Sequence, residues 1–403
     1  MLDFRSANVR NANSSRAVDE CIELTGAVRD GLDCEMSIVM VHAPLGHRLD
    51  KVAQAVRRHL PQAVVLGNSC SGVTGREGVG EAMSDIAMMI VSGTSAELNW
   101  AAVEDINGKT SYEKGRELAR SLYKKAPAPV AIYLLCPGID IANDQVLKAF
   151  VEVYGEDIVI FGGTSSDNMR GLLNHQYIND KLTESGAWAV AMSDTSLKAV
   201  TRATHGFSAY GDAMTVTKAE GNRIIELDRQ PAWKVYTERL GLNPNPDTIC
   251  GETVPIGALA EKLPENLAKE YGNPHILRVI SKYDSDGAIY YPVTAKEGLE
   301  FWLTNRDEDL IFSEQQRSLD YIREQIGSGK PVAVFQSDCL ARGRFLFNKV
   351  MKDEITAMMH NALSTDGEIP PWIGMYGFGE YARLGGKNMY HNYSMALLVL
   401  YRR

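Results

Sequence analysis

The feature that most restricts the fold of this sequence is a repeated order of apolar strand, helix and apolar strand, with small polar residues directly after the strands. MSIVMVHA (36–43) is followed by a helical pattern (49–59) and by AVVLG (63–67). The same order returns as PVAIYLLCPG (129–138), a helical pattern (142–154) and IVIFGG (158–163). Because strands joined through a helix usually run parallel, this order predicts an α/β fold.

Other segments predict antiparallel strands, so we expect mixed sheets. HQYIND (175–180) and GAWAVAMS (186–193) flank a polar turn and predict a hairpin. PVAVFQSDC (331–339), a helix and WIGMYGFGE (372–380) resemble the earlier strand–helix–strand unit. An internal duplication would explain this likeness, and so would the general regularity of α/β proteins. The fold class is therefore a two-part α/β protein with mixed β-sheets flanked by helices.

Chain length predicts two domains, since 403 residues exceed the roughly 250–300 at which a single core stops growing. We assign residues 1–30 to an N-terminal helix region of the first domain, 31–206 to the first α/β domain and 207–403 to the second. The boundary is set at the glycines near 206–211, beyond which the pattern changes to short strands.

Charge and apolar runs predict a soluble, cytoplasmic protein. The 42 basic and 51 acidic residues give a formal charge of −9, so no basic field attracts nucleic acid or an anionic membrane. No apolar run approaches the ~20 residues of a membrane span, and the first twenty residues lack the apolar core of a secretion signal. The six scattered cysteines form no CxxC pair, which fits a reducing compartment.

Candidate ligand-binding groups follow the strands, because α/β proteins bind ligands beyond the carboxyl ends of strands. Four loops stand out: GNSCSGVTG (67–75), CPGID (136–140), GGTSSDN (162–168) and SDCLARGR (337–344). Because 67–75, 162–168 and 337–344 each follow an apolar strand, we expect these three loops to converge on one cleft. None has the spacing of a nucleotide-binding GxxxxGK[ST] or GxGxxG motif. The alternative is that these segments are well-formed turns whose serines bond to the backbone.

Three charged residues suit a small zwitterionic or carboxylate ligand. Arg342 follows a strand, and its guanidinium can hold a carboxylate at two points or pair with Glu380. Glu380 and Asp167 can receive a ligand amine or cap a loop. These alternatives stay open at the level of the sequence.

Cysteine catalysis and haem binding are the other candidate chemistries. Cys70, Cys136 and Cys339 follow strands, but none lies in a known nucleophile motif, and buried inert cysteine is the commoner state. The histidines include no HExxH. His205 and His391 lie in strand-like, partly apolar settings, so they are the candidate axial ligands of a haem or ordinary structural histidines.

Taken together, the motifs resemble the FIST family (written out as F-box and intracellular signal transduction), with paired FIST N-terminal and C-terminal domains. The likeness covers nearly the whole chain. The blocks that carry it are GNSCSGVTG, FGGTSSDN, VTKAEGNRIIELDRQPAWKVYTERLG, SDCLARGR and GMYGFGEYARLGG with YHNYS. The chain departs from the family pattern at Arg229, Ser165 and Ser394, where Gly, Ala and Thr are usual. Asn68 stands where Cys is usual, which argues against a shared catalytic thiol there.

The resemblance implies an intracellular sensor that binds a small molecule, such as an amino acid or related carboxylate, and signals through a separate histidine kinase or cyclic-di-GMP enzyme. It also implies a haem-dependent nitric oxide sensor as an alternative; a cysteine-dependent enzyme is the rival class, and self-association is left open. The implied ligand-binding positions, with Ser71 added from its loop, are Ser69, Ser71, Gly163, Asp167, Cys339, Arg342, Glu380 and Asn392. His391 and His205 are the candidate haem ligands.

Overall fold

The chain is built from three units of the same topology, with one further sheet inserted in the third unit. Each unit runs strand, helix, strand, helix, strand, two-stranded hairpin and final strand. The computed structural model describes residues 1–31, 34–168, 171–243, 253, 257–280, 282–343 and 348–403.

The first two units follow one another along the chain. The first contains β1 (Asp3–Arg10), α1 (Ser14–Thr25), β2 (Met36–Ala43), α2 (Leu49–His59), β3 (Val64–Ser69), the hairpin β4 (Val73–Gly75) and β5 (Gly78–Gly80), and β6 (Asp85–Gly93). The second contains β7 (Leu98–Val103), α3 (Ser111–Tyr123), β8 (Ala131–Cys136), α4 (Asn143–Tyr154), β9 (Ile160–Thr164), the hairpin β10 (Gln176–Ile178) and β11 (Lys181–Thr183), and β12 (Ala187–Met192).

The third unit is interrupted after its first strand, β13 (Lys198–Thr204), by the inserted sheet. The insertion contains β14 (Phe207–Glu220), β15 (Arg223–Leu227), β16 (Gln230–Pro231), α5 (Ala232–Arg239), β17 (Leu259–Lys262), α6 (Glu265–Tyr271), β18 (His275–Arg278), β19 (Lys282–Tyr283), β20 (Ile289–Tyr290) and β21 (Glu300–Arg306). The unit resumes with α7 (Glu308–Ile326), β22 (Lys330–Cys339), α8 (Lys349–Leu363), β23 (Trp372–Gly377), the hairpin β24 (Glu380–Leu384) and β25 (Lys387–His391), and β26 (Met395–Arg402).

The three units exchange their hairpins in a cycle. The sheet orders are β1-β6-β2-β3-β10-β11, β7-β12-β8-β9-β24-β25 and β13-β26-β22-β23-β4-β5. In each sheet the two middle strands are parallel and every other pair is antiparallel. Each hairpin therefore completes the sheet of another unit, which ties distant parts of the chain together.

The inner faces of the three sheets enclose one apolar core. The Tyr133 ring lies 5.5 Å from the rings of Trp188, in the same sheet, and Phe335, in the third sheet. Phe335 also meets Phe4 of the first sheet edge to face at 6.4 Å. Such ring pairs add about 0.5–1.5 kcal/mol each beyond the apolar area that they bury.

Helix pairs cover the outer faces of the sheets, which explains why the central strands are apolar throughout. Every residue of β8, AIYLLC, is buried. One face of β8 lies against the core, and the other lies under α3 and α4, where Val146 and Phe150 contact it. Strands buried on both faces read as continuous apolar runs rather than alternating ones.

The predicted α/β class, with mixed sheets flanked by helices, is confirmed. The resemblance between 129–163 and 331–380 corresponds to the second and third units, and the first unit has the same order. The predicted hairpin of 175–180 with 186–193 is wrong: β10 pairs with β11 and β3, whereas β12 pairs with β7 and β8. Asn179, at φ 55°, turns the chain directly after β10.

The predicted division at 206/207 falls where the inserted sheet begins, and it stays a prediction. β13, just before the division, pairs with β26 at the far end of the chain. In the part of the chain that the structure describes, no helix is long and apolar enough to cross a membrane.

Candidate functional site

The middle strands β3, β9 and β23 end at one place in the molecule. The segments that follow them, residues 69–72, 164–167 and 376–379, form what we call the strand-end ring. Three backbone hydrogen bonds link its segments: Ser166 N donates to Ser69 O (3.0 Å), Ser71 N to Tyr376 O (3.0 Å) and Thr164 N to Gly379 O (2.9 Å). Two of the loops expected from the sequence to converge, 67–75 and 162–168, are therefore in direct contact.

The predicted serine ligands are bonded within this ring. Ser69 Oγ donates to Ser166 O (2.8 Å) and accepts from His175 N (2.8 Å). Ser166 Oγ donates to Tyr376 O (2.8 Å), and Ser71 Oγ contacts Ser166 Oγ at 3.0 Å. The hydroxyls thus close the ring, which is the turn-forming role that the sequence left as an alternative.

Asp167 and Gly163 also have structural contacts. The Asp167 carboxylate accepts from three successive amides, at Gly171 (3.1 Å), Leu172 (2.8 Å) and Leu173 (3.0 Å). This is the loop-capping alternative for Asp167. Gly163 lies opposite Glu380 in the β9–β24 pair, and a Cβ there would overlap Ser337 Oγ.

Arg342 lies on a single 3₁₀ turn, Leu340–Arg342, directly after β22. Its Nε donates to Asp338 Oδ1 at 3.1 Å, and both side chains are buried. Burial raises the pKa of Asp338 to about 6, against the opposing effect of Arg342. Asp338 is consequently ionised at neutral pH and balances the guanidinium. Of the predicted loop 337–344, residue 344 lies outside the described residues.

Glu380 is fully buried beside this ion pair. Its Oε2 accepts from Ser394 Oγ at 2.6 Å, and Oε1 has no hydrogen-bond partner among the described residues. Burial raises the pKa of Glu380 well above its ordinary value. Burial therefore favours the protonated form of the carboxyl, which can donate a hydrogen bond and carries no charge to attract an amine.

Replacing Glu380 with Gln is expected to flatten the pH dependence of stability. The folded wild type retains a proton that the unfolded chain releases, so its free energy of unfolding falls as pH rises, by about 1.4 kcal/mol per pH unit, until the folded pKa is passed. Urea unfolding of wild type and Glu380→Gln from pH 5 upwards isolates this effect, because the other titrating groups, including Asp338 with its pKa of about 6, are common to both proteins. Equal slopes in wild type and Glu380→Gln would contradict the protonated carboxyl.

Two further predicted residues lie close to Glu380. Asn392 Nδ2 donates to Phe378 O at 2.8 Å, while its Oδ1 has no partner among the described residues. The pKa of the Cys339 thiol is raised well above its usual range by burial, and burial raises that of Cys136 to about 12. Protonated thiols are weak nucleophiles, so neither cysteine suits thiolate chemistry in this state.

The two candidate haem ligands are buried and bonded within the protein. His205 Nε2 donates to His275 O at 2.9 Å, and His205 Nδ1 accepts from Phe207 N at 3.2 Å. His391 Nδ1 lies 3.2 Å from the Tyr271 hydroxyl. Burial lowers their pKa values to about 4 and about 3, so both rings are neutral. His205 does not fit an axial ligand here, because both ring nitrogens are used; His391 would need space for a porphyrin beside a fully buried ring.

Sequence reasoning missed a polar group inside the core. His42 Nδ1 lies 2.6 Å from Asn68 Oδ1, and Nε2 lies 3.3 Å from the Tyr133 hydroxyl. Burial lowers the pKa of His42 to about 4. A histidine within the apolar run MSIVMVHA was the signal available. Within the described ranges, no three His, Cys, Asp or Glu side chains are placed to hold a metal ion.

The protein is thus an α/β protein in which three repeated units exchange hairpins. Its strand ends form a closed ring of hydrogen-bonded polar segments. The FIST N domain model matches residues 37–230, and the FIST C domain model matches residues 232–383. The chain belongs to the FIST family, whose domains are sensory domains of signalling proteins that bind small ligands. The F-box part of the expanded name is wrong.

Solved structures give only distant likenesses. A structure titled "Cyanuric acid hydrolase: evolutionary innovation by structural concatenation" has 9% identity and a TM-score of 0.38, with all of both chains covered. PurL of Thermotoga maritima with ATP has 8% identity and a TM-score of 0.23, covering all of this chain and 72% of the other. At TM-scores this low, neither likeness bears on the function of this chain. No curated protein sequence matches it.

Proposed function

We propose that this protein is a sensor of a small amino acid or related carboxylate, and that it signals through a separate protein such as a histidine kinase or a cyclic-di-GMP enzyme. Membership of the FIST family supports the sensory class. The observation that carries the ligand proposal is a group of buried polar atoms, Ser337 Oγ, Glu380 Oε1 and Asn392 Oδ1, without hydrogen-bond partners among the described residues. We call this group the inner polar cluster.

Unmet hydrogen bonds in one place favour a polar occupant, because buried polar atoms in native proteins nearly always have a partner. Burial fixes the roles that these groups would play. In its protonated form, which burial favours, the Glu380 carboxyl can donate to a ligand carboxylate, and the Asn392 carbonyl can accept from a ligand amine. Arg342 adds a nearby cation, although it is already engaged with Asp338. A ligand would enter by opening the strand-end ring.

Ser337→Ala tests the cluster with little risk to the fold, because its hydroxyl has no described partner. A panel of amino acids and small dicarboxylates is screened by thermal shift, and the strongest binder is titrated by calorimetry. Loss of one hydrogen bond should weaken binding by about 1 kcal/mol, roughly fivefold. Ser193→Ala is the matched control, since its Oγ is likewise buried and unpartnered but follows β12.

Two results would overturn the proposal: no compound raising the unfolding temperature, or Ser337→Ala binding as tightly as wild type. The proposal that the protein signals through a partner is tested in a separate experiment. The autophosphorylation rate of a histidine kinase, or the turnover of a cyclic-di-GMP enzyme, should change when the liganded protein is added. Ser337→Ala at the same ligand concentration should give a smaller change.

Haem-based nitric oxide sensing and cysteine catalysis remain weaker candidates, since no contact in the described residues favours either. His205 has both ring nitrogens bonded, and the Cys339 thiol is buried with a raised pKa.

A further inference from the structure

A cavity of about 430 Å³ lies where the inserted sheet meets the second unit, away from the strand-end ring. We call it the seam cavity. Its walls come from α4, from β25 and from the insertion, including residues 293–299. The volume falls within the ~300–1,000 Å³ that is usual for small-molecule sites.

The seam cavity has an apolar interior. Leu147 and Val151 project from α4, Val293 and Leu299 come from the insertion, and Met389 comes from β25. Apolar side chains on three sides can bury the hydrocarbon part of a ligand, at about 25 cal/mol for each Å² removed from water. A free polar amino acid has no hydrocarbon part to bury against these walls.

The charged groups of the cavity favour an anion. Lys148, Lys296 and Lys387 are exposed, and in the described part of the chain none lies within 4.0 Å of a carboxylate oxygen. The Lys148 ammonium lies 5.5 Å from the Tyr112 ring centroid, a contact that leaves its charge available.

The acidic groups of the cavity are largely engaged. Glu261 holds Arg278 at 2.9 Å, and Asp144 accepts from Thr294 N at 2.9 Å and from a neighbouring glutamine amide. Glu156 is exposed at the edge. Lys296 helps to lower the pKa of Glu261, but Glu261 is already paired with Arg278, so the lysines keep capacity for a ligand carboxylate.

The cavity also lies across contacts that join the insertion to the core. Arg278 Nη1 donates to Tyr390 O in β25 at 2.6 Å, and Asn143 N donates to Pro292 O at 3.1 Å. A ligand there would touch the insertion, α4 and β25 together. Binding would stabilise the docked arrangement, since a ligand favours the state in which it makes its contacts.

We propose that the seam cavity binds an organic anion with an apolar body, of the aryl or medium-chain alkyl carboxylate class. The carboxylate is held by Lys296 and Lys387, and the apolar body lies against Leu147, Val293 and Met389. This site is separate from the inner polar cluster and does not require that cluster to bind anything.

The test is calorimetric titration of the full chain with indole-3-acetate, 4-phenylbutyrate and octanoate, and with indole-3-acetamide as the neutral counterpart. At least one carboxylate should bind saturably, and the amide should bind at least about tenfold more weakly, a difference of about 1.4 kcal/mol. Lys296→Gln with Lys387→Gln should cost the carboxylate at least tenfold. Lys109→Gln with Lys198→Gln, which changes two lysines outside the cavity, should cost nothing.

Val293→Trp supplies an independent steric test, because a larger side chain on a partly exposed wall occupies the space of the ligand. It should abolish binding while circular dichroism and the unfolding temperature stay near wild type. Binding that survives both the lysine double variant and Val293→Trp, equal binding of acid and amide, or no saturable heat from any of the three carboxylates would each overturn the proposal. Ser337→Ala should leave this binding unchanged, which separates the result from the fate of the inner polar cluster.

Discussion

Gly162→Ala is expected to destabilise the protein by about 3–5 kcal/mol, through backbone strain and a clash that cannot relax. Gly162 lies in β9 with φ 139°, a conformation that side-chain-bearing residues rarely adopt. A Cβ there would overlap the carbonyl oxygen of Leu134 on the parallel neighbour β8. Gly162 and Gly163 pair with the hairpin supplied by the third unit, so the damage would reach the strand-end ring.

Gly155→Ala is the matched control for this substitution. Gly155 also has a positive φ, 90°, but nothing lies within 4 Å of a Cβ added there. Its cost should be limited to conformational strain, about 1–3 kcal/mol. The shift in urea midpoint separates the two variants. Equal shifts would mean that the close approach of β8 and β9 contributes little.

The individual elements could be predicted from the sequence because their signals are local. The apolar run at 36–43 and the helical pattern at 49–59 match β2 and α2 residue for residue. The helix predicted at 142–154 begins one residue later. In each case the spacing of the buried residues within a single element is enough to predict that element.

The exchange of hairpins could not be predicted in this way. β4 pairs with β23, and β24 pairs with β9, across more than 200 residues of chain. A short strand such as VTG contains no information on which distant edge it will join. Nor does its pattern of apolar residues distinguish a partner in its own unit from one in another.

The candidate site shows the same division between local and distant information. The sequence predicted that polar loops follow the strands and that 67–75 and 162–168 converge. It could not distinguish a hydroxyl that faces a ligand from one that bonds to another loop, as Ser69 does to residue 166. The seam cavity was missed because α4, 293–299 and β25 are far apart in the chain.

Arg342→Ala is expected to cost about 3–5 kcal/mol at pH 8, the usual effect of removing one partner from a buried ion pair. Asp338 would be left charged and buried, since Arg342 supplies its salt bridge at 3.1 Å. The pKa of Asp338 is already raised to about 6 by burial, and losing the cation would raise it further. Protonation then relieves the penalty, so the destabilisation should be smaller at pH 5 than at pH 8.

Pairing Arg342→Ala with Asp338→Asn provides the control, because it removes both charges and keeps an acceptor for Gln336, which bonds to Asp338 Oδ2 at 3.2 Å. If the buried charge is the cause, the double variant should regain most of the lost stability and lose the pH dependence. Urea unfolding at pH 5 and pH 8 measures both effects. Should Arg342→Ala and the double variant prove equally unstable at both pH values, lost packing would be the cause. Arg342 would then stabilise the turn after β22 through its bulk rather than its charge.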